Sequence, residues 1–268
     1  MSVVFLPLQF NCENSLILSY QPFNKLKENT VTPYETEATK KAQVTAMFNK
    51  IAGKYDLLNR VLSLGIDTIW RKKAISNLNI EDHRKILDVA TGTADMCLEI
   101  NKQLDPTEIV GLDISEKMIE FGNKKVDKKG LSEIIKLEVG DSENMRFDTD
   151  YFDAATAAFG VRNFGDLKKG LSEMHRVLRP GGKIVILEFS RPIYFPFKQL
   201  FNLYFKHLLP LIGKLSSKDK KAYKYLYESV QVFPDYDRFA NILESVGFRS
   251  VSWKALSLGI CTIYCGTK

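Results

Sequence analysis

Two short apolar runs, each closing on a carboxylate, carry the chemistry most readily read from this chain. The first is KILDVATGTAD, Lys85 to Asp95, and the second is IVGLDIS, Ile109 to Ser115. Asp88 leads into a turn of small residues, where Gly92 lets backbone N–H groups approach a ligand. Asp88 itself is expected to organise the turn rather than touch a substrate. Asp113 ends the second run, where a carboxylate accepts hydrogen bonds from ribose hydroxyls; its plain alternative is a helix cap placed one residue early. A third run, 135–139, is followed by Asp141 and Ser142. Asp141 can accept from an adenine amino group, and the Ser142 N–H can face a ring nitrogen; the alternative is a surface turn. These residues predict an adenosine-type cofactor. A dinucleotide is not favoured, since no register of the turn gives G-x-G-x-x-G.

Such residues work only if a parallel α/β sheet places them at one edge. The periodicity supplies one. Strands are expected at 85–90, 108–113, 135–139, 152–158 and 183–189, with helices between them. Those helices cover about 94–104, a stretch starting at Ser115, and 166–177, the last closed by the turn Arg179-Pro-Gly-Gly182. A helix over 235–246 stops at Gly247. Val251–Leu256 and Ile260–Cys265 then close the chain as an antiparallel hairpin at the sheet edge. Upstream, Val44, Met47, Phe48, Ile51, Tyr55, Leu58, Val61 and Leu62 recur at helical steps, and a second helix is expected over 69–78. Residues 191–230 read as an aromatic, basic, helical insertion. The domain is thus expected over 41–268. Residues 1–40 read as a mostly disordered extension with a short docking element; SVVFLPLQF has no basic residue ahead of it and makes a poor secretory signal.

The 268 residues are 45% apolar, ordinary for a full core, and hold no uninterrupted apolar run of membrane-spanning length. Cys12, Cys97, Cys261 and Cys265 are too scattered for a disulfide framework, so a reducing cytoplasm is expected. Cys261 and Cys265 would lie roughly 13 Å apart along a strand, too far to share a metal, and the histidines have no ligand spacing. No metal site is expected. The net charge of +6 is localised: residues 191–224 hold eight basic side chains against one acid, an excess of +7 that leaves −1 for the rest. Lysines interleaved with Phe, Tyr and Leu read as an element for an anionic membrane surface, and the bland alternative is a cap that finishes the core. Nucleic acid is not expected as a partner.

The turn around Gly92 resembles motif I of class I S-adenosylmethionine (SAM) methyltransferases, with Ala90 and Ala94 where glycines are usual. Alanine resists positive φ, so Gly92 is expected at the tightest point. More specifically, MFNKIAGKYDLLNRVLSLGID (47–67), DVATGTAD (88–95), FGVRN (159–163), RVLRPGGK (176–183), LEFSRP (187–192) and the 205–234 stretch resemble the UbiE/MenG quinone C-methyltransferase family. The resemblance covers roughly 31–268. It implies a Rossmann-like, mostly parallel seven-stranded sheet with an antiparallel last strand. It also implies methylation of 2-demethylmenaquinol with SAM as donor, in the cytoplasm at the inner face of the plasma membrane. It adds Thr93 as a cofactor contact.

The substrate side should lie at the ends of strands 4 and 5, around Phe159, Gly160, Val161, Arg162, Asn163, Glu188 and Ser190. Carbon methylation needs an electron-rich ring, and a quinol hydroxyl has a pKa of roughly 10. Arg162 would stabilise the phenolate, or else form a structural salt bridge. His207 would be the general base, or a packed residue. Tyr55 and Asn59 would close over the cofactor, and Tyr225 and Tyr227 would line the quinol site; for all four the alternative is plain core or surface. Three readings stay open: this enzyme, a SAM methyltransferase on another small aromatic or lipid such as a benzoquinol, and a non-enzymatic basic binding module. A homodimer is left open.

Overall fold

The computed structural model describes residues 31–78, 85–193, 195–203 and 220–268. Seven strands form one sheet: β1 (Lys85–Val89), β2 (Glu108–Asp113), β3 (Ile135–Val139), β4 (Phe152–Ala158), β5 (Leu178–Phe189), β6 (Arg249–Leu256) and β7 (Cys261–Thr267). Their order is β3-β2-β1-β4-β5-β7-β6. The first five pair in parallel, while β7 runs antiparallel to both β5 and β6. The expected closing hairpin therefore tucks its second strand into the sheet and leaves β6 at the edge. Strand order reverses on either side of β1, and the crevice beside β1 and β4 is where parallel α/β sheets take their ligands.

Strand residues alternate between two cores, as a two-residue period requires. Leu87, Val89, Ile184 and Ile186 face one core. Ile86, Ile109, Val185 and Leu187 face the other. The helices α4 (Asp95–Leu104), α5 (Glu116–Lys128), α6 (Leu167–Val177) and α9 (Asp237–Ser245) cover the sheet, with α7 (Phe197–Leu203) and α8 (Lys220–Val232) inserted after β5. Ser115 caps α5 by accepting from the Met118 N–H, and Asp166 caps α6 by accepting from the Lys169 N–H.

The lead-in differs from its expected continuous helix. It breaks into α1 (Lys40–Ile51), a short 3₁₀ turn over Ala52–Lys54, and α2 (Tyr55–Leu62). Then α3 (Ile66–Ile75) starts three residues earlier than expected, because Gly65 at φ 78° turns the chain. Residues 31–39 dock: Val31 and Tyr34 pack against a buried group holding Met47, Ala222 and Tyr225, and the Tyr34 N–H donates to Gln43 Oε1 at 2.9 Å. The remainder of the expected extension, 1–30, lies outside the described residues.

Candidate active site

The turn after β1 corrects the expectation for its alanines. Ala90 and Ala94 sit at φ 55° and 68°, in the left-handed region, beside Gly92 at φ 57°. That conformation costs an L-residue roughly 1–2 kcal/mol, so the fold holds strain here. The tightest approach belongs to Gly160 instead: a Cβ there would collide with the Ala90 Cβ. Phe159 follows the pattern at φ 59°. The two strained turns, after β1 and after β4, press together and fix the floor between two cavities.

The first cavity is the cleft over β1, β2 and β3, and Gly92, Asp113, Asp141 and Ser142 all line it. Asp113 accepts from the Gly92 N–H at 2.8 Å and, through its other oxygen, from the Ser115 N–H at 2.8 Å. A carboxylate has about four acceptor sites, so two remain for ligand hydroxyls. Burial pushes Asp113 up to about 6, opposed by those backbone bonds. Asp141 accepts from the Glu143 N–H at 2.9 Å and from Lys41 Nζ at 2.8 Å. Burial would raise its pKa, but Lys41 and the Glu143 N–H outweigh that and hold it below the usual carboxylate range.

Thr93 does not line this cleft. It is 3% exposed, and its hydroxyl joins a cluster with Asp56 and Lys125. Lys125 also pairs with Asp95 at 2.7 Å and Asp56 at 2.5 Å, tying α2 to the motif turn and to α5. Asp88 is fully buried and accepts from Thr156 Oγ1 at 2.7 Å. Burial pushes it up to about 6, and it supports the turn from below, as expected.

Helix α1 latches the cleft from above. Lys40 Nζ donates to the Arg162 and Phe164 carbonyls at 3.1 and 2.8 Å. Lys41 spans to Asp141 and Glu143, and Glu143 in turn accepts from the Gly165 N–H at 2.8 Å. Sequence reasoning missed Lys41 and Glu143, because the pairing crosses about a hundred residues and has no local pattern.

The second cavity, about 510 Å³, lies between the lead-in helices, the ends of β4 and β5, and the α7–α8 insertion. Phe48, Tyr55, Phe159 and Asn163 line both cavities, so the two meet at those side chains. Arg162 lines the second. Its Nη1 donates to Glu188 Oε1 at 2.7 Å and to the Phe159 carbonyl, and its side chain is 7% exposed beside a fully buried Glu188. Among the described residues Arg162 Nε has no hydrogen-bond partner. Glu188 does not line the cavity; burial raises its pKa, Arg162 opposes this, and it also accepts from the Phe189 N–H at 2.8 Å. Asn163 Oδ1 accepts from the Tyr225 hydroxyl at 3.0 Å, and burial pushes Tyr225 up to about 12.

Tyr55 and Asn59 both line the second cavity, and Tyr55 the first as well. On α8 it is Tyr223 and Tyr225 that face the cavity, while Tyr227 packs beside the Leu58–Tyr223 cluster. Val161 is core, and Ser190 bonds to the Gly259 carbonyl and Thr262. His207 lies outside the described residues, as do residues 194 and 204–219 of the basic insertion. No group of potential metal ligands occurs among the described residues.

Two cavities meeting at the carboxyl edge of a seven-stranded sheet suit a small donor on one side and an apolar acceptor on the other. The model of the ubiE/COQ5 methyltransferase family matches residues 36–268. The chain belongs to the ubiE/COQ5 methyltransferase family. It is 47% identical over 241 residues to a demethylmenaquinone methyltransferase of Bacteroides fragilis, covering 90% of this chain and 98% of that one. It is 49% identical over 227 residues to a ubiquinone/menaquinone biosynthesis C-methyltransferase UbiE of Geobacter sp., covering 84% and 96%. Among solved structures, a putative SAM-dependent methyltransferase of Methanococcus maripaludis superposes with a TM-score of 0.59 at 20% identity, covering 82% of this chain and 93% of that one. The fold is that of the class I SAM methyltransferases.

Proposed function

We propose that this chain methylates a ring carbon of 2-demethylmenaquinol, yielding menaquinol, with SAM as donor. The observation that carries the reading is the junction of the two cavities at Phe48, Tyr55, Phe159 and Asn163, with Arg162 on the acceptor side. The cofactor cleft offers the right groups for SAM: a carboxylate at the β2 end with spare acceptor sites, a backbone N–H turn, and Asp141 with Ser142 for the adenine. When bound, SAM supplies an electrophilic methyl group on a sulfonium.

On the acceptor side, loss of the quinol hydroxyl proton puts charge on the oxygen and on the adjacent ring carbon. Arg162, which lines the acceptor-side cavity, stabilises that charge through its cation. The new carbon–methyl bond forms as the sulfur–methyl bond breaks, leaving a neutral sulfide. The ring proton then departs, leaving the aromatic methylated quinolate, which regains a proton on its oxygen, so that one proton is released overall. His207 is assigned as proton acceptor on its titration range. Phe159, Asn163 and Tyr225 orient the ring, and Glu188 acts through Arg162.

Because a hydroxyl must ionise, only the reduced quinol is a substrate. Product should form from SAM and a demethylnaphthoquinone in the presence of dithionite and should be absent without reductant. Equal turnover of the oxidised quinone would overturn the reading.

A polyprenyl quinol must leave a bilayer, and the cavity mouth fits that passage. Leu64, Ile66 and Leu258 line the cavity yet are 84%, 38% and 60% exposed, next to the basic insertion. No helix of the described residues is long and apolar enough to cross a membrane. We place the protein on the inner face of the plasma membrane, held by apolar insertion and by about 1 kcal/mol per basic residue that reaches an anionic surface. Co-sedimentation with anionic vesicles should fall as salt rises and fall further when Lys218, Lys220, Lys221 and Lys224 become Gln. Turnover of a tail-less quinol should hardly change. Equal binding to neutral and anionic vesicles would reduce the insertion to a lid.

A further inference from the structure

The substrate-side cavity contains a second buried cation besides Arg162. Arg71 on α3 lines it, with a side chain 8% exposed. Its Nη1 donates to Asp67 Oδ2 at 2.5 Å. Asp67 Oδ1 accepts from Ser63 Oγ at 2.7 Å and from Arg60 Nη1 at 3.4 Å. Burial would raise the Asp67 pKa, but Ser63 and the two arginines outweigh it and hold it low. Asp67 is therefore a fixed anion that sets the direction of Arg71. A guanidinium carries five N–H donors. Among the described residues Asp67 is the one hydrogen-bond partner of that of Arg71. Among the described residues none of its other donors is buried without a partner, which leaves them accessible to a ligand in the cavity.

The two arginines of the cavity share one aromatic floor. Arg71 Cζ lies 5.4 Å from the Phe159 ring centroid, and Arg162 Cζ lies 5.4 Å from that of Phe189. The two rings are 4.6 Å apart. Both guanidiniums also act on the Tyr55 hydroxyl.

We propose that Arg71 is a substrate-binding residue that holds the quinol oxygen remote from Arg162, and so selects a 1,4-dihydroxy aromatic over a monohydroxy one. Asp67 is its positioning residue. The inference rests on the quinol-methylation reading. Only the oxygen next to the reacting carbon feeds charge into it. The remote oxygen serves recognition, so Arg71 acts on ground state and transition state alike and controls KM more than kcat.

The test compares a tail-less 1,4-naphthoquinol with its analogue lacking the remote hydroxyl. Arg71→Met alone leaves the buried Asp67 carboxylate with only Ser63 and the longer Arg60 contact, so the decisive protein is the Asp67→Asn/Arg71→Met double variant, with Arg71→Lys beside it. In the double variant KM for the dihydroxy substrate should rise about 10- to 100-fold, the range of a lost charge-assisted hydrogen bond. Its kcat should stay within about threefold, and SAM affinity by calorimetry should be unchanged, on the same principle of uniform binding. Kinetics with the monohydroxy analogue should match wild type, so the preference for two hydroxyls collapses. Arg71→Lys should keep part of it. A double variant that retains the wild-type preference, or loses both substrates equally, overturns the assignment of Arg71. A wild-type protein that methylates neither compound overturns the quinol reading itself.

Discussion

Replacing Arg162 and Glu188 together, as Arg162→Ala/Glu188→Gln, should give a folded protein that binds SAM normally and turns over about 10²–10³-fold more slowly, the usual loss of a transition-state charge donor. The pair must be removed together. Arg162→Ala alone strands a fully buried Glu188 carboxylate, and breaking a buried pair from one side costs about 3–5 kcal/mol of stability. That single variant would confuse unfolding with lost catalysis. Arg162→Lys keeps a cation but not the planar fork that serves Glu188 and the Phe159 carbonyl at once, and should recover little turnover. Single-turnover rates and SAM titrations on the three proteins separate the cases. A double variant with intact turnover would leave Arg162 as a structural ion pair, the alternative already visible in FGVRN.

Asp113→Ala should weaken SAM binding by about 1.5–3 kcal/mol, the range for a lost hydrogen bond to a charged acceptor. The pH dependence offers a finer check. The Asp113 pKa stands at about 6 in the ligand-free fold. The ionised form is the better acceptor for ribose hydroxyls, so affinity is full well above that value. As pH falls through it, affinity should drop by up to tenfold per unit, because binding then carries the cost of removing a proton. Asp141 is held low and stays ionised in this window. Asp88 also titrates at about 6 but lines neither cavity. Asp113→Asn should therefore flatten the profile between pH 5 and 7, on the same linkage. A profile unchanged in that variant would move the effect to another group.

Much of this site follows from local pattern. The ends of β2, β3 and β4 fall where the expected extended runs stop, and Ser115 caps the helix that follows β2. Asp113 ends β2, while Gly92 and Asp141 sit in the turns just after β1 and β3, and all three line the cleft. What the sequence concealed is long-range. The latch from Lys41 to Asp141 and Glu143 joins segments about a hundred residues apart. Thr93 turned to Asp56 and Lys125 because three elements converge on it. The positive φ of Ala90, Ala94 and Phe159 contradicts local preference and survives only because the two turns brace each other. Asp67 and Arg71 did leave a signal: a charged i, i+4 pair on a helix with Trp70 and Ile75 on its buried face. Without the cavity above it, that pair reads as an ordinary surface bridge.

The central claim is carbon methylation of a reduced naphthoquinol at the junction of the two cavities. The most direct measurement incubates the full chain with methyl-labelled SAM and chemically reduced demethylnaphthoquinol, then locates the label by mass spectrometry and NMR. The account predicts one label per product on the ring carbon beside a hydroxyl, with an equal amount of S-adenosylhomocysteine, and both forming about 10²–10³-fold more slowly with the Arg162→Ala/Glu188→Gln protein. Label on a hydroxyl oxygen, or bound SAM with no transfer to any quinol, would contradict it.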